Sequence, residues 1–294
     1  MPISRRDFLK AAGAGLGALA LPQVQAQAAD GPTDAADSFS MLYDTTKCVG
    51  CRACQNACKQ RSNLPPEFDG DKLYDMPKDL SADTWTIIRL YKGGDGISFV
   101  KDQCMHCIEP ACVSVCPVAA LEKTPSGPVV YHSERCIGCR YCMAACPFGV
   151  PKAQWPEPLP LIQKCDFCAD RQAQGQEPAC SEVCPTGALI SGKRGGMLAI
   201  AHQRIDENPM YLKHVYGETE AGGTTMLYIS HIDFTKLGFP ELDHRSLPDI
   251  TWPYMKAVPW VVVTVASLST AIYQYTRRRA KVKAANGKKP EKGG

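Results

Sequence analysis

The apolar residues of this chain come mostly in short runs. TWTIIRLY (84–91) and ISFVKD (97–102) are strand-like and separated by Gly93-Gly94-Asp95-Gly96, which predicts a β-hairpin. AALEKTPSGPVVYHSERC (119–136) holds two shorter strand-like pieces around a turn at Pro125-Ser126-Gly127. MLAIAHQRI (197–205) reads as helical and GTTMLYISHI (223–232) as a later strand, while residues 59–83 and 233–256, rich in Pro, Asp and Lys, read as loops. One segment differs in kind. Ala257 to Thr276 is twenty residues without a charge, and a helix of that length covers roughly 30 Å, the hydrocarbon thickness of a bilayer.

The flanks of that segment strengthen a membrane reading. Trp252, Tyr254 and Trp260 lie near one end, Tyr273 and Tyr275 near the other, and Arg277-Arg278-Arg279 follow. The positive-inside rule places the tail, residues 277–294, in the cytoplasm. A buried core helix is the alternative, since Ser, Thr and Gln dilute the apolar character. The N-terminus opens MPISRRDFLK, continues with the short apolar AAGAGLGALAL, and reaches small residues at Ala26 and Ala28. This is the layout of a cleavable export signal over residues 1–28, and Arg5-Arg6 make it of twin-arginine type.

Charge agrees with this division. The formal net charge is +3; the tail carries +7 and the first 28 residues +2, so residues 29–276 carry −6. An acidic body with basic ends does not suggest a nucleic-acid binder. It fits a periplasmic region, 29–256, tethered by one C-terminal helix, 257–276.

Sixteen cysteines decide the chemistry. They form four groups of four: Cys48, Cys51, Cys54 and Cys58; Cys104, Cys107, Cys112 and Cys116; Cys136, Cys139, Cys142 and Cys146; Cys165, Cys168, Cys180 and Cys184. In each group three residues separate the last cysteine from the third, and Pro117, Pro147 and Pro185 follow three of these last cysteines. Three closely spaced thiolates can wrap one corner of an iron–sulfur cubane, while the fourth enters a following helix and reaches a different cluster. Two runs thereby make two clusters by exchanging fourth ligands, and four runs make four [4Fe-4S] clusters. A disulfide framework gives no reason for the spacing to recur. Structural zinc is the stronger competitor, because C-x-x-C is its usual knuckle, but it leaves the third cysteine of each run without a purpose. Export by the twin-arginine route supports the cluster reading, since clusters inserted in the cytoplasm require a folded passenger.

Repetition is visible in CPVAAL (116–121), CPTGAL (184–189) and CPFGVP (146–151). The architecture expected is α+β: two ferredoxin-like double-cluster modules plus one C-terminal transmembrane helix. Runs two and three pair as an inner module of about 100–155, with runs one and four around them, from about 40–99 and 156–235. Lys47, Arg52, Arg135, Arg140 and Lys164 stand next to ligands in sequence and could raise cluster potentials, with solvated surface charges as the plainer expectation. His106, inside C-M-H-C, could contact a cluster or quinone, with a passive surface position as the plainer expectation. The insert ADRQAQGQEPA (169–179) is a partner-contact loop or a spacer. Lys59 occupies the place that proline holds in the other runs. Neither a radical C-x-x-x-C-x-x-C motif nor a dinucleotide fingerprint is present.

With these motifs in hand, the chain resembles the four-cluster electron-transfer subunits of respiratory molybdopterin oxidoreductases and hydrogenases. QCMHCIEPACVSVCPVAAL, GCRYCMAACPFGVPK and YGETEAGGTTMLYI are most similar to the periplasmic subunit of membrane-bound nickel–iron hydrogenase-2. The beta subunits of formate dehydrogenases share the runs and the terminal helix but typically lack their own export signal, and remain the alternative. The resemblance implies four cysteine sets: Cys48, Cys51, Cys54 and Cys184; Cys58, Cys165, Cys168 and Cys180; Cys104, Cys107, Cys112 and Cys146; Cys116, Cys136, Cys139 and Cys142. It implies an electron wire rather than an enzyme, with no catalytic residue of its own. Its partners would be catalytic hydrogenase subunits, or a molybdopterin subunit, and an integral membrane quinone-reactive subunit.

Overall fold

The computed structural model describes residues 35–66 and 79–286; the export signal lies outside them. A three-stranded sheet organises the body. Strand β1 (Phe39–Asp44) runs through its centre, with two further strands, β8 (Leu189–Lys193) antiparallel on one side and β9 (Met226–Ile229) parallel on the other. Tyr43 pairs with Leu189 across one edge and with Tyr228 across the other. Both faces are covered, which explains near-continuous apolar runs in place of simple alternation. Met41, Tyr43, Met226 and Tyr228 face a core with Ile88, Val100, Met105 and Phe167. Leu42, Leu227 and Ile229 face Met197, Ala201 and Ile205, spaced four apart on one side of the helix Arg194–Glu207.

The cysteine runs hang between short helices and hairpins. Helix α1 (Ala53–Arg61) follows the first run; β2 (Ile87–Gly93) and β3 (Gly96–Asp102) form the expected hairpin. Helix α2 (Ala111–Ser114) belongs to the second run, and β4 (Leu121–Lys123) pairs with β5 (Val129–Tyr131) around the expected turn. Helix α3 (Tyr141–Ala145) follows in the third run, then β6 (Lys152–Ala153) paired with β7 (Ile162–Gln163). The fourth run carries α4 (Ala169–Ala173) and α5 (Ala179–Glu182) and leads into β8; the helix Arg194–Glu207 is α6. Helix α2 packs on α3, and α1 packs on α5, so runs two and three are nested inside runs one and four.

The proline pattern has a local cause. Ala119, Gly149 and Gly187 each donate a backbone N–H to the carbonyl of the cysteine three residues earlier, at 3.4, 3.1 and 3.3 Å, and each has positive φ. Proline at the second position of such a turn presets its φ and keeps the preceding cysteine out of helix. Lys59 lifts that restriction, so α1 continues past Cys58 to Arg61. The Lys59 ammonium is buried and donates to Pro65 O (2.8 Å), Asp83 O (2.9 Å) and Thr84 Oγ1 (3.2 Å). The loop expected over 59–83 therefore begins as helix.

The terminal helix α7 (Leu247–Asn286) is longer than the 257–276 span expected. Residues 247–256, read as loop, are its first turns: Pro248 sits in the first turn, where proline fits, while Pro253 and Pro259 are inside the helix. Residues 247–285 are long and apolar enough to cross a membrane, and none of their apolar window is covered by the body. Thr264, Thr270 and Thr276 donate their hydroxyls to carbonyls four residues back at 2.8, 2.8 and 2.9 Å, so their polarity is satisfied within the helix. The approach to α7 is tied down: Ala221 N–H donates to Asp243 O (2.8 Å) and Gly222 N–H to His244 O (3.1 Å), while Ile108 N–H of the second run donates to Gly223 O (3.0 Å). Helix α2 touches α7 directly.

At the end of β1, Asp44 is wholly buried and meets Arg204 Nη1 (3.1 Å), Tyr211 Oη (2.9 Å) and Thr46 Oγ1 (2.6 Å). Asp44→Ala strands these partners and is expected to destabilise the fold by about 2–4 kcal/mol, read as a lowered denaturation midpoint.

Candidate iron–sulfur sites

Each C-x-x-C loop turns the same way. The residue before the second cysteine has positive φ in all four runs: Gly50 (70°), His106 (46°), Gly138 (68°) and Phe167 (62°). That turn aims a backbone N–H at the first cysteine. Gly50 N–H reaches Cys48 Sγ at 3.4 Å, Gly138 reaches Cys136 at 3.4 Å and Phe167 reaches Cys165 at 3.3 Å. Donors to sulfur favour thiolate and raise cluster potentials.

The sixteen thiols are free of disulfides and gather in fours. Cys48, Cys51, Cys54 and Cys184 line one cavity. Cys116, Cys136, Cys139 and Cys142 line another. Cys107 has Cys104, Cys146 and Cys112 as its charged neighbours. Cys58 and Cys165 adjoin Cys168, and Cys180 adjoins both Cys58 and Cys168. Among the described residues no three His, Cys, Asp or Glu side chains converge closely enough for one metal ion. A tetrahedral zinc would hold its sulfurs roughly 3.8 Å apart. Four thiols around a larger space suit a polynuclear group.

The four sets also neighbour one another in series. Cys180 feels Cys54, Cys165 feels Cys104, and Cys112 feels Cys142. Cys51 and Cys139, in the first and last sets of this series, are the exposed cysteines. Beside them stand exposed Val49 and Ile137.

Burial makes the thiols reluctant to ionise. Together with neighbouring thiolates it pushes Cys58 and Cys142 up to about 11 and Cys112 and Cys180 up to about 12. Cys107 and Cys165 rise higher still for the same reasons. A cluster must therefore displace protons to bind, and its own cationic iron supplies the compensation.

The plainer expectation of solvated charge holds for three of the five cations next to ligands in sequence. Lys47, Arg135 and Arg140 are exposed, and the Arg140 guanidinium lies 4.2 Å from the Trp155 ring centre; Arg52 is half-buried. Lys164 is buried, donating to the carbonyls of Val129 and Cys165, the latter at 2.9 Å. Two lysines the sequence reading missed join it. Lys123 donates to His106 O (3.2 Å) and Gly127 O (2.5 Å), and its pKa falls to about 8 through burial. Lys101 is fully buried and lines the Cys48 cavity. Alternation along β3 puts Lys101 on the face of Phe99, whose ring lies against Gly50, and that was the available signal.

His106 is not a surface residue. It is buried, stacks on Phe167 with centroids 4.3 Å apart, and accepts the Val129 N–H at Nδ1 (2.9 Å). Burial first, then Lys164 and Lys123, hold it well below the usual histidine range, so it is neutral. A repeat also escaped notice: Tyr43 and Tyr131 each precede a first cysteine by five residues, and each hydroxyl contacts that thiol, Cys48 or Cys136. Tyr43 also donates to Phe99 O at 2.9 Å. The insert 169–179 ties back on itself through Arg171, which donates to Glu177 O (2.7 Å) and Glu182 Oε2 (2.6 Å).

Comparison with known proteins agrees with this chemistry. A 4Fe-4S dicluster domain model matches residues 96–194, a 4Fe-4S binding domain model residues 39–60, and a twin-arginine translocation signal model residues 2–22. A protein of Nitratidesulfovibrio vulgaris is 44% identical over 96% of this chain and 79% of its own length. The hydrogenase-2 operon protein HybA of Escherichia coli O157:H7 is 38% identical over 83% of this chain and 86% of its own. The formate dehydrogenase-O iron–sulfur subunit of Escherichia coli is 38% identical over 82% of this chain and 84% of its own.

Gly50 and Gly175 share a left-handed backbone, but a Cβ on Gly50 would lie 2.3 Å from the Phe99 ring while Gly175 has open space. Gly50→Ala is expected to cost about 1–3 kcal/mol more than Gly175→Ala, measured by thermal denaturation of the loaded protein. Equal losses would show that Phe99 swings aside freely.

Proposed function

This chain belongs to the family of 4Fe-4S electron-transfer subunits that includes HybA and the formate dehydrogenase iron–sulfur subunits, and from that premise we propose that it relays electrons between a hydrogen-oxidising nickel–iron hydrogenase and a quinone-reactive membrane subunit. The observation that carries this is the series of four cysteine sets with exposed Cys51 and Cys139 at its two ends. In this reading the ligand sets are Cys48, Cys51, Cys54 and Cys184; Cys58, Cys165, Cys168 and Cys180; Cys104, Cys107, Cys112 and Cys146; Cys116, Cys136, Cys139 and Cys142. Each set holds one [4Fe-4S] cluster, which when bound carries one electron at a time.

The chain's own residues hold, shield and tune these sites, and the catalytic centre belongs to the partner. The inner module, about 100–155, contains the packed pair α2 and α3, and the outer module, from about 40–99 and 156–235, contains α1 and α5. The terminal helix α7 departs beside α2, which favours the Cys139 end as the membrane-side exit and the Cys51 end as the entry from the catalytic subunit. The twin-arginine signal and α7 support a body on the periplasmic face of the inner membrane, with the basic tail in the cytoplasm. A second reading, the beta subunit of a formate dehydrogenase or related molybdopterin oxidoreductase, is favoured by the equal identity to the formate dehydrogenase-O subunit. The chain's own export signal weighs towards the hydrogenase.

Purification from membranes decides between them. Co-purification with a nickel–iron subunit is the expected result, whereas a molybdopterin subunit would establish the second reading. The protein should be brown, bleach with dithionite and contain about sixteen iron atoms per chain; a colourless zinc protein overturns both. Cys58→Ser is expected to perturb the cluster of Cys165, Cys168 and Cys180 first, seen as loss or conversion of one electron-paramagnetic-resonance signal. Loss of the Cys48 cluster alone would show the ligand exchange to be wrong.

A further inference from the structure

One buried cation stands between two of the sulfur sets. Lys101 enters from β3, is fully shielded from solvent, and lines the cavity of Cys48, Cys51, Cys54 and Cys184. Among the described residues its hydrogen-bond partner is the Thr86 hydroxyl, and no carboxylate pairs with it. The adjacent Asp102 is engaged by Arg89. An ammonium removed from water without a counter-charge is strongly disfavoured, so negative charge must come from elsewhere. The thiols within its electrostatic reach are Cys54 of the first set and Cys58, Cys165 and Cys180 of the second. The nearby cations are engaged elsewhere: Lys59 by Pro65 O, Asp83 O and Thr84 Oγ1, Lys164 by the carbonyls of Val129 and Cys165, and Arg61 by Asp166 and Asp170, while Lys47 is exposed.

We infer that Lys101 is a shared counter-ion for the two sites built on Cys48 and Cys58, a tuning residue whose single positive charge raises the reduction potential of both clusters. Reduction adds negative charge, and a fixed cation in a poorly screened interior favours the reduced form. Because one ammonium faces both sites, the two potentials move together. This rests on the ligand sets proposed above.

The test is a redox titration, followed by electron paramagnetic resonance, of the full-length protein solubilised from membranes. Lys101→Met is expected to shift the reduction equilibrium of two of the four clusters tenfold or more towards the oxidised form, which is 59 mV for a one-electron couple. The other two should move less, and Lys47→Met should move none. Midpoints that stay put, or a shift in only one cluster or equally in all four, overturn the inference. Lys101→Gln, which keeps a donor for Thr86, is titrated in parallel. Should either variant lose iron, loss confined to two clusters supports a counter-ion, while loss of all iron in both variants makes Lys101 a folding residue and overturns it. Finding no four reducible clusters in the unaltered protein defeats the functional reading instead, so the two failures are distinguishable.

Discussion

A thiolate cannot be taken out of water without something to answer its charge, and this fold is arranged around that constraint. Six of the sixteen cysteines are buried, and burial drives the thiols of Cys58, Cys142, Cys165, Cys168 and Cys180 towards the neutral form. The chain answers with three kinds of group. Left-handed turns aim backbone N–H groups at Cys48, Cys136 and Cys165; tyrosine hydroxyls meet Cys48 and Cys136; and lysines are drawn inside the protein. The strands that carry Tyr43, Lys101, Lys123 and Tyr131 are therefore parts of the sites as much as of the scaffold.

Local spacing made some of this legible and left the rest hidden. The hairpins around Gly94-Asp95 and Ser126-Gly127 were readable because their turns and strands are contiguous. So was the grouping of cysteines, since a run is a local object. Depth was not readable. Nothing in C-M-H-C says that His106 stacks on Phe167 rather than on water, because the aromatic partner arrives from another run. Lys101 and Lys123 are charged residues on strands, and exposure is the default expectation for such residues; only the tertiary approach of the thiols reverses it. The prolines of residues 233–256 read as loop, yet Pro248 sits in the first turn of α7 and Pro253 lies inside an already propagating helix.

The seat of α7, a candidate membrane anchor, ties that helix to the cysteine runs. Hydrogen bonds run from Asp243 and His244 through Ala221, Gly222 and Gly223 to Ile108, so the backbone leaving for the helix is fastened to the second cysteine run. A tilt of the helix would be felt first at that run and least at the far end, where Cys51 lies.

The nesting of the runs has a temporal meaning. Helices α2 and α3 are near neighbours in sequence, and their contact closes a short loop. Helices α1 and α5 enclose everything between them, and the cavity of Cys48 is not complete until Cys184 arrives. A chain emerging from the ribosome therefore finishes its inner pair of sites while the outer pair still lacks a wall. The first cysteines made wait longest for their partners, and it is their site that a cell must guard from stray metals and oxidants until synthesis has passed the fourth run.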